Sequence, residues 1–454
     1  METDLNDNRL QDRAMEAKTM HSMWKLLGCS LALSLALGVS GCSEDESIDP
    51  SDAGQPPAED VSESDDTEDI SGSDADTGDP DPDADDAPDA SDGPDPSDER
   101  WVSAYLPSWE HYVEPGGNWG VMESEDIDWD SFTHLIYFAY GVDEQGNFTN
   151  TDDYENMNSD RTDEIVSVAR EAQTPVLASV GGWGNVEFGV AIQEQNRDNF
   201  VDNLVELIDE PGYDGIDLDM EPINDDHVDD YTAFVIQLHE ELQEVTNHYG
   251  DPPILTTATN WQPEMHADLA EYFDQINLMT YDFSNAWEGW QAWHNSPLFD
   301  GGETFDSTGE PFPSIERDID EFLDGGVPAE KLGFGITFTT YVWTGVSEPL
   351  EGWADGDEPS VDENVSYREV MDEYYEPGAR QWDEGASAPY LSLDDRDPPV
   401  FISYDDEESI EAKFDYVEER DLGGTIIWEM AAGYRPDADE GQQQPLLDAV
   451  GDHR

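Results

Sequence analysis

Eight short runs of β-forming residues recur along 101–430, and what separates them is helical or loop-like. The runs are "WVSAYL" (101–106), "THLIYFAY" (133–140), "PVLASV" (175–180), "GIDLDME" (215–221), "ILTTAT" (254–259), "QINLMTY" (275–281), "LGFGITF" (332–338) and "GTIIWEM" (424–430). Amphipathic helical patterns lie between several of them: "RDNFVDNLVELIDE" (197–210), "VDDYTAFVIQLHEELQEV" (228–245) and "SIERDIDEFLDGG" (314–326). Strands that alternate with helices form parallel sheets joined by right-handed crossovers. Eight such units predict an α/β protein, a (β/α)8 TIM barrel, whose functional groups sit at the C-terminal ends of its strands.

The fourth run is the most unusual. In "YDGIDLDMEP" (213–222), Asp217, Asp219 and Glu221 alternate with Ile216, Leu218 and Met220. Side chains of a strand alternate between faces. The three acids therefore share the face toward the barrel axis, and the three apolar residues point out toward the helices. Three carboxylates turned into a core with no bases beside them are too costly to be mere scaffolding. Asp214, which opens the stretch, reads as structural. Clustered acids raise one another's pKa, so one of them keeps a proton at working pH, and the three titrate as a set. A carboxyl that keeps its proton beside ionised neighbours can serve as a general acid.

With these residues the chain resembles glycoside hydrolase family 18, the chitinases and their relatives. "DGIDLDME" matches the family's DxxDxDxE signature. "ASVGGW" (178–183) is similar to its SxGG segment, "NLMTYD" (277–282) to its MxYD segment, and "GGTIIWEM" (423–430) to its eighth strand; "WHNSPL" (293–298) follows the sixth strand as in many chitinases. The resemblance covers about 100–440. It implies Glu221 as proton donor and Asp219 as the group orienting the substrate's acetamide. Asp217 is then an inner aspartate sharing a proton with Asp219, and Tyr281 bonds the acetamide oxygen. Asp282 and Met279, from the same sixth-strand segment, would line the sugar site, with Trp428 as its floor. The implied activity is endo-hydrolysis of β-1,4-linked N-acetylglucosamine polymers. The acetamide acts as nucleophile, and neither cofactor nor metal is needed. Two other readings stand beside it, an endo-β-N-acetylglucosaminidase of glycans or peptidoglycan and a non-catalytic chitin-binding lectin. Lectins of this type lack the acid, which Glu221 supplies here.

Aromatic rings stack on the apolar faces of pyranoses. Trp109, Trp183, Trp287, Trp290, Trp293, Trp343 and Trp428 all fall at or just beyond predicted strand ends. Of these, Trp428, Trp183, Trp287 and Trp109 are the expected sugar contacts. Between the seventh and eighth runs lie far more residues than a crossover needs. This resembles the small α+β insertion of some chitinases, expected at about 345–405. Relatives with that insertion often carry Tyr-Gly-Arg after the seventh strand, whereas here "FTTYVWTGV" (338–346) has no arginine.

The charge of the chain sets its other limits. Asp and Glu number 111 against 17 Lys and Arg, a formal net charge of −94. The segment 43–99 holds 24 acids and no base. It cannot bury enough apolar surface to fold and reads as an extended linker. Residues 100–454 carry 82 acids against 13 bases. That excludes a nucleic-acid partner, since phosphate backbones require Lys and Arg, and it matches the acidity of proteins from saline habitats. The two cysteines, Cys29 and Cys42, exclude a disulfide framework or thiolate zinc site. Residues 26–39 form a short apolar run after Lys18 and Lys25, and "VSGC" (39–42) resembles a lipoprotein processing site. Residues 1–42 are therefore expected to be a lipoprotein-type signal peptide, with Cys42 lipidated. The barrel, 100–454, would be an exported monomer held at a membrane of the cell envelope through that lipid, or extracellular. The acidic segment before Lys18 is long for a signal, so Met15, Met20 or Met23 is an alternative start.

Overall fold

The computed structural model describes residues 100–454 apart from 112–121, 150–156, 158–159, 355 and 440. The expected signal peptide, Cys42 and the acidic linker lie outside the described residues. All eight expected strands form, and we number them β1 (Trp101–Pro107), β2 (His134–Val142), β3 (Val176–Gly181), β4 (Gly215–Asp219), β5 (Ile254–Thr259), β6 (Gln275–Leu278), β7 (Leu332–Thr337) and β8 (Gly424–Trp428). Each pairs in parallel with its sequence neighbours, and β1 pairs with both β2 and β8, which closes the barrel. β4 is shorter than its run: the strand ends at Asp219, so Met220 and Glu221 continue beyond the sheet at its C-terminal rim.

The alternation of β4 is realised in the packing. Ile216, Leu218 and Met220 are buried in the apolar layer between barrel and helices. Asp217 and Asp219 are turned inward and are also buried. Low in the barrel, Ser103 donates to Gln275 (2.8 Å) and the Trp101 indole to Asn277 (3.0 Å), so polar groups that face the axis find partners there. Higher up, Tyr105, Phe138, Met279 and Tyr281 join one apolar cluster under the rim.

The helices follow the expected patterns. Val228–Leu242 buries Tyr231, Phe234, Val235, Leu238 and Leu242, a single stripe at helical spacing. Ile315–Gly325 starts at Ser314, whose Oγ accepts the Arg317 N–H (3.4 Å), and stops at Gly326, whose positive φ suits a glycine.

Between β7 and β8 the chain builds a second, five-stranded antiparallel sheet from Thr339–Thr344, Ser360–Ser366, Arg380–Asp383, Ala388–Leu393 and Val400–Ser403. It starts at Thr339, directly after β7 and earlier than the sequence led us to expect. The early start follows from pairing: Thr339–Thr344 is the strand against which both Ser360–Ser366 and Val400–Ser403 hydrogen-bond. Helix Glu407–Glu419 then returns the chain to β8. Among the described residues no helix is long and apolar enough to cross a membrane.

Candidate active site

Asp217 sits at the bottom of the site and is fully enclosed. Tyr105 from β1 and Ser179 from β3 each donate to its Oδ2 (2.9 Å both), and Thr256 from β5 donates to Oδ1 (2.7 Å). Burial pushes its carboxyl above the usual range, while the three hydroxyls favour the ionised form and oppose that rise.

One step up, Asp219 is treated differently. Its Oδ1 is buried with no hydrogen-bond partner. Its carboxyl makes a hydrogen bond with Glu221. Burial first, then the charges of Glu221 and Asp217, hold Asp219 well above the usual carboxylate range. Glu221 is pushed up to about 8 by burial and by the charge of Asp282, against the bonds it accepts from Asp219 and from the backbone of Trp183. The two titrate as a pair, and at neutral pH at least one proton stays on it. Asp219 thus leans toward Glu221, while the hydroxyls hold Asp217. Asp214 takes the Val176 N–H (3.0 Å) and returns its own N–H to the Val176 carbonyl (2.7 Å), tying β4 to β3 away from the cluster, as its structural reading requires.

The "GG" of "ASVGGW" has a steric reason. Gly181 and Gly182 have φ of +114° and +97°, and a Cβ on Gly181 would stand 2.1 Å from the Asp219 carbonyl. Gly182 donates its N–H to that same carbonyl (2.7 Å). Only glycine lets β3 turn so close to β4 and bring the Trp183 backbone to Glu221.

Tyr281 follows β6 on the far side. Its ring lies parallel to that of Trp428, with centroids 6.5 Å apart, and packs against Gly335, where a Cβ would meet it at 2.4 Å. Burial and the charges of Asp219 and Asp282 hold its phenol protonated, and hence a donor. Trp428 is wedged edge-on by Tyr105 (5.7 Å) and Phe138 (5.1 Å), and Trp109 packs on Phe138 (5.8 Å). Met279 is buried in the same cluster. Trp183 is 36 % exposed. Trp287 packs edge-on against Trp290 (4.4 Å), away from this cluster on the loop after Asp282. Trp293 and Trp343 cannot serve as sugar platforms. Both are buried: Trp293 stacks on Phe312 and Trp343 lies in the core of the inserted sheet. Position after a strand end does not reveal which way a ring turns.

Asp282 has φ of +60°, and its N–H is held by Asn295 Oδ1 (3.0 Å). Burial pushes it up to about 6, a rise opposed by a hydrogen bond from Tyr341 and supported by the charge of Glu363. Tyr341 belongs to the inserted sheet. From the stretch that lacks the arginine, its hydroxyl bonds Asp282. Sequence reading missed Tyr341, and it missed Tyr105 and Thr256 around Asp217. The one available signal was the inward register of hydroxyl residues on β1 and β5.

Comparison with known proteins agrees with this geometry. The model of glycosyl hydrolases family 18 matches residues 102–433. The chain belongs to family 18. Among curated relatives, Chitinase A1 of Niallia circulans is 30 % identical over 289 residues, 56 % of this chain and 40 % of that protein. The chain thus spans well under half the length of that relative. Mouse Chitotriosidase-1 is 28 % identical over 371 residues, 72 % of this chain and 73 % of the relative. Among solved structures, a family 18 N-acetylglucosaminidase from Paenibacillus barengoltzii is 26 % identical (TM-score 0.60) and matches 78 % of this chain and 100 % of its own. The Group IV chitinase of Ostrinia furnacalis shares the fold at 23 % identity (TM-score 0.64), over 78 % of this chain and 99 % of its own. The closed barrel of β1–β8 is the fold of family 18.

Proposed function

We propose that the protein cleaves β-1,4-linked N-acetylglucosamine polymers, chitin and chito-oligosaccharides, from within the chain and with retention at the anomeric carbon. The observation that carries this reading is the buried, hydrogen-bonded Asp219–Glu221 pair at the rim of β4, whose Asp219 Oδ1 has no hydrogen-bond partner. In this mechanism Glu221 gives its proton to the glycosidic oxygen as the bond to C1 breaks. The acetamide oxygen of the same sugar closes on C1, so no enzyme carboxylate need bond to carbon. Asp219 accepts the acetamide N–H, and with Asp217 beneath it offsets the positive charge that develops on the ring formed. Tyr281 donates to the acetamide oxygen. Water then attacks C1, returns one proton to Glu221 and restores the acetamide. Trp428 carries the apolar face of the sugar, with Met279 beside Tyr281. Asp282, Trp183, Trp109 and Trp287 contact further parts of the chain.

The inserted sheet, which brings Tyr341 to Asp282, supports a walled cleft suited to a long polymer. The named N-acetylglucosaminidase among the structural relatives keeps a second reading, endo-β-N-acetylglucosaminidase, in view. Incubating the protein with chito-oligosaccharides, cello-oligomers and N-glycopeptide, with mass spectra and early proton NMR of the products, separates them. Our reading predicts cleavage of the N-acetylated oligomers, β-anomers first, and intact cello-oligomers. Early α-anomer, or release of glycopeptide in preference to chitin fragments, contradicts it.

We further propose that the enzyme is exported as a monomer and held at the envelope through lipid on Cys42, with 43–99 as spacer, in a saline setting. Replacing Cys42 by Ser then moves it out of the membrane fraction. A variant that still sediments after a salt wash rules out the lipid.

A further inference from the structure

A lysine lies on the buried face of helix Glu407–Glu419. Asp406 caps that helix by accepting the N–H groups of Glu408 (3.1 Å) and Ser409 (3.2 Å), which sets Ile410, Lys413, Tyr416 and Val417 inward. Lys413 is fully enclosed. Its ammonium has three donors. Two contacts go to Asp405, at Oδ1 (2.8 Å) and Oδ2 (2.7 Å), and one goes to Ser296 Oγ (3.0 Å). Ser296 in turn donates to the main-chain carbonyl of Thr280 (2.7 Å), the residue before Tyr281.

The rest of Thr280 is tied as firmly. Its hydroxyl donates to the Gly335 carbonyl (3.0 Å) and accepts the Gly335 N–H (3.0 Å), and Gly335 is the residue on which the Tyr281 ring rests. On the other side of Tyr281, Asn295, the neighbour of Ser296, holds the Asp282 N–H (3.0 Å). Both peptides flanking Tyr281 are therefore clamped by consecutive residues of "WHNSPL", and the lysine braces one of those residues from below.

A buried ion pair is a poor way to add stability, because desolvation cancels much of the attraction and apolar replacements are often as stable. What Lys413 supplies that an apolar side chain cannot is the third donor, directed at Ser296. We propose that Lys413 is a positioning residue: through Ser296 it fixes the Thr280 carbonyl and with it the setting of Tyr281 in the cleft. The inference rests on the chitinase reading for its consequence in turnover, though not for its geometry.

Ser296→Ala tests it while leaving the Lys413–Asp405 pair intact. Small displacements of a positioned group cost rate steeply, so kcat on chito-oligosaccharides should fall about 10-fold with KM within about 2-fold. Lys413→Met should do the same; should it fail to fold, Ser296→Ala carries the test alone. The discriminating measurement is made in a Tyr281→Phe background. Residues that act through one another are non-additive, so adding Ser296→Ala there should change kcat by less than about 2-fold. Losses that multiply, or a Ser296→Ala enzyme as active as the parent, overturn the proposal. A readout free of activity separates it from the chitinase reading. The 19F resonance of 3-fluorotyrosine placed at 281 should shift or broaden in Ser296→Ala but not in Arg420→Ala, which removes a surface ion pair just beyond the C-terminus of that helix. An unmoved resonance in Ser296→Ala overturns the proposal whatever the activity. A parent inactive on every N-acetylated oligomer overturns the chitinase reading alone.

Discussion

Asp405 and Asp219 are both buried aspartates, and the protein treats them in opposite ways. Asp405 is given a lysine that meets both its oxygens and a serine hydroxyl. Asp219 is given a second carboxylate, Glu221, and a third, Asp217, below it. Burial penalises charge in both places. A counter-charge relieves the penalty for Asp405, whereas at Asp219 and Glu221 only a proton can. The difference separates support from chemistry. On the proposed mechanism, the fold closes an ion pair where it needs a fixed strut and withholds the cation where a proton is to be transferred.

The comparison can be broken most severely at Glu221. Glu221→Gln keeps the shape and the bond to Asp219 but has no proton to give, so kcat should fall by about 10²–10⁴-fold while titration calorimetry still shows oligomer binding. Asp219→Asn keeps the acid but removes the charge that faces the acetamide. A loss of about 10²–10³-fold in kcat is expected, with little change in the melting temperature. Activity near that of the parent in either variant would mean that the pair is not the reacting centre.

Asp282→Asn sharpens the point. Burial is the larger cause of the raised Glu221 pKa and Asp282 the second. Removing the Asp282 charge should therefore move the alkaline limb of kcat/KM to lower pH, part of the way from about 8 toward the ordinary glutamate value. An unmoved limb would leave burial as the whole cause. The smallest effect expected separates surface from interior. Screening shortens from about 8 Å at physiological salt to about 3 Å at 1 M. Molar NaCl should therefore raise the melting temperature of a domain with 82 acids and 13 bases, by relieving repulsion among exposed carboxylates. The limb set by the enclosed pair should hardly move. A melting temperature that stays flat or falls with salt counts against a saline adaptation.

The barrel was legible because its signal is periodic: eight β-runs with amphipathic helices between them left one closed parallel sheet as the natural reading, and the alternation in 215–221 fixed which face carries the acids. The clustering of the inward acids was legible for the same reason. What escaped was whatever depends on contacts between distant segments. Nothing local in "FTTYVWTGV" shows that Tyr341 reaches Asp282, because the pairing of the inserted strands decides that. Nothing in "SIEAKFDYVEE" separates Lys413 from a surface lysine except its place on the apolar stripe. Trp293 and Trp343 show the converse. Their positions after strands suggested a cleft, but packing against Phe312 and Phe401 turned both rings into cores.

The central claim is that β4 keeps a proton on its rim carboxyls because it is denied a cation. The most direct test is to follow the side-chain carboxyl 13C resonance of Glu221 against pH in the free enzyme, identified by its loss in Glu221→Gln. Because Glu221 titrates together with Asp219, the account predicts that its resonance keeps changing well above the ordinary carboxylate range, up to about pH 8. A midpoint near 4.5, the value of an unperturbed glutamate, would contradict it.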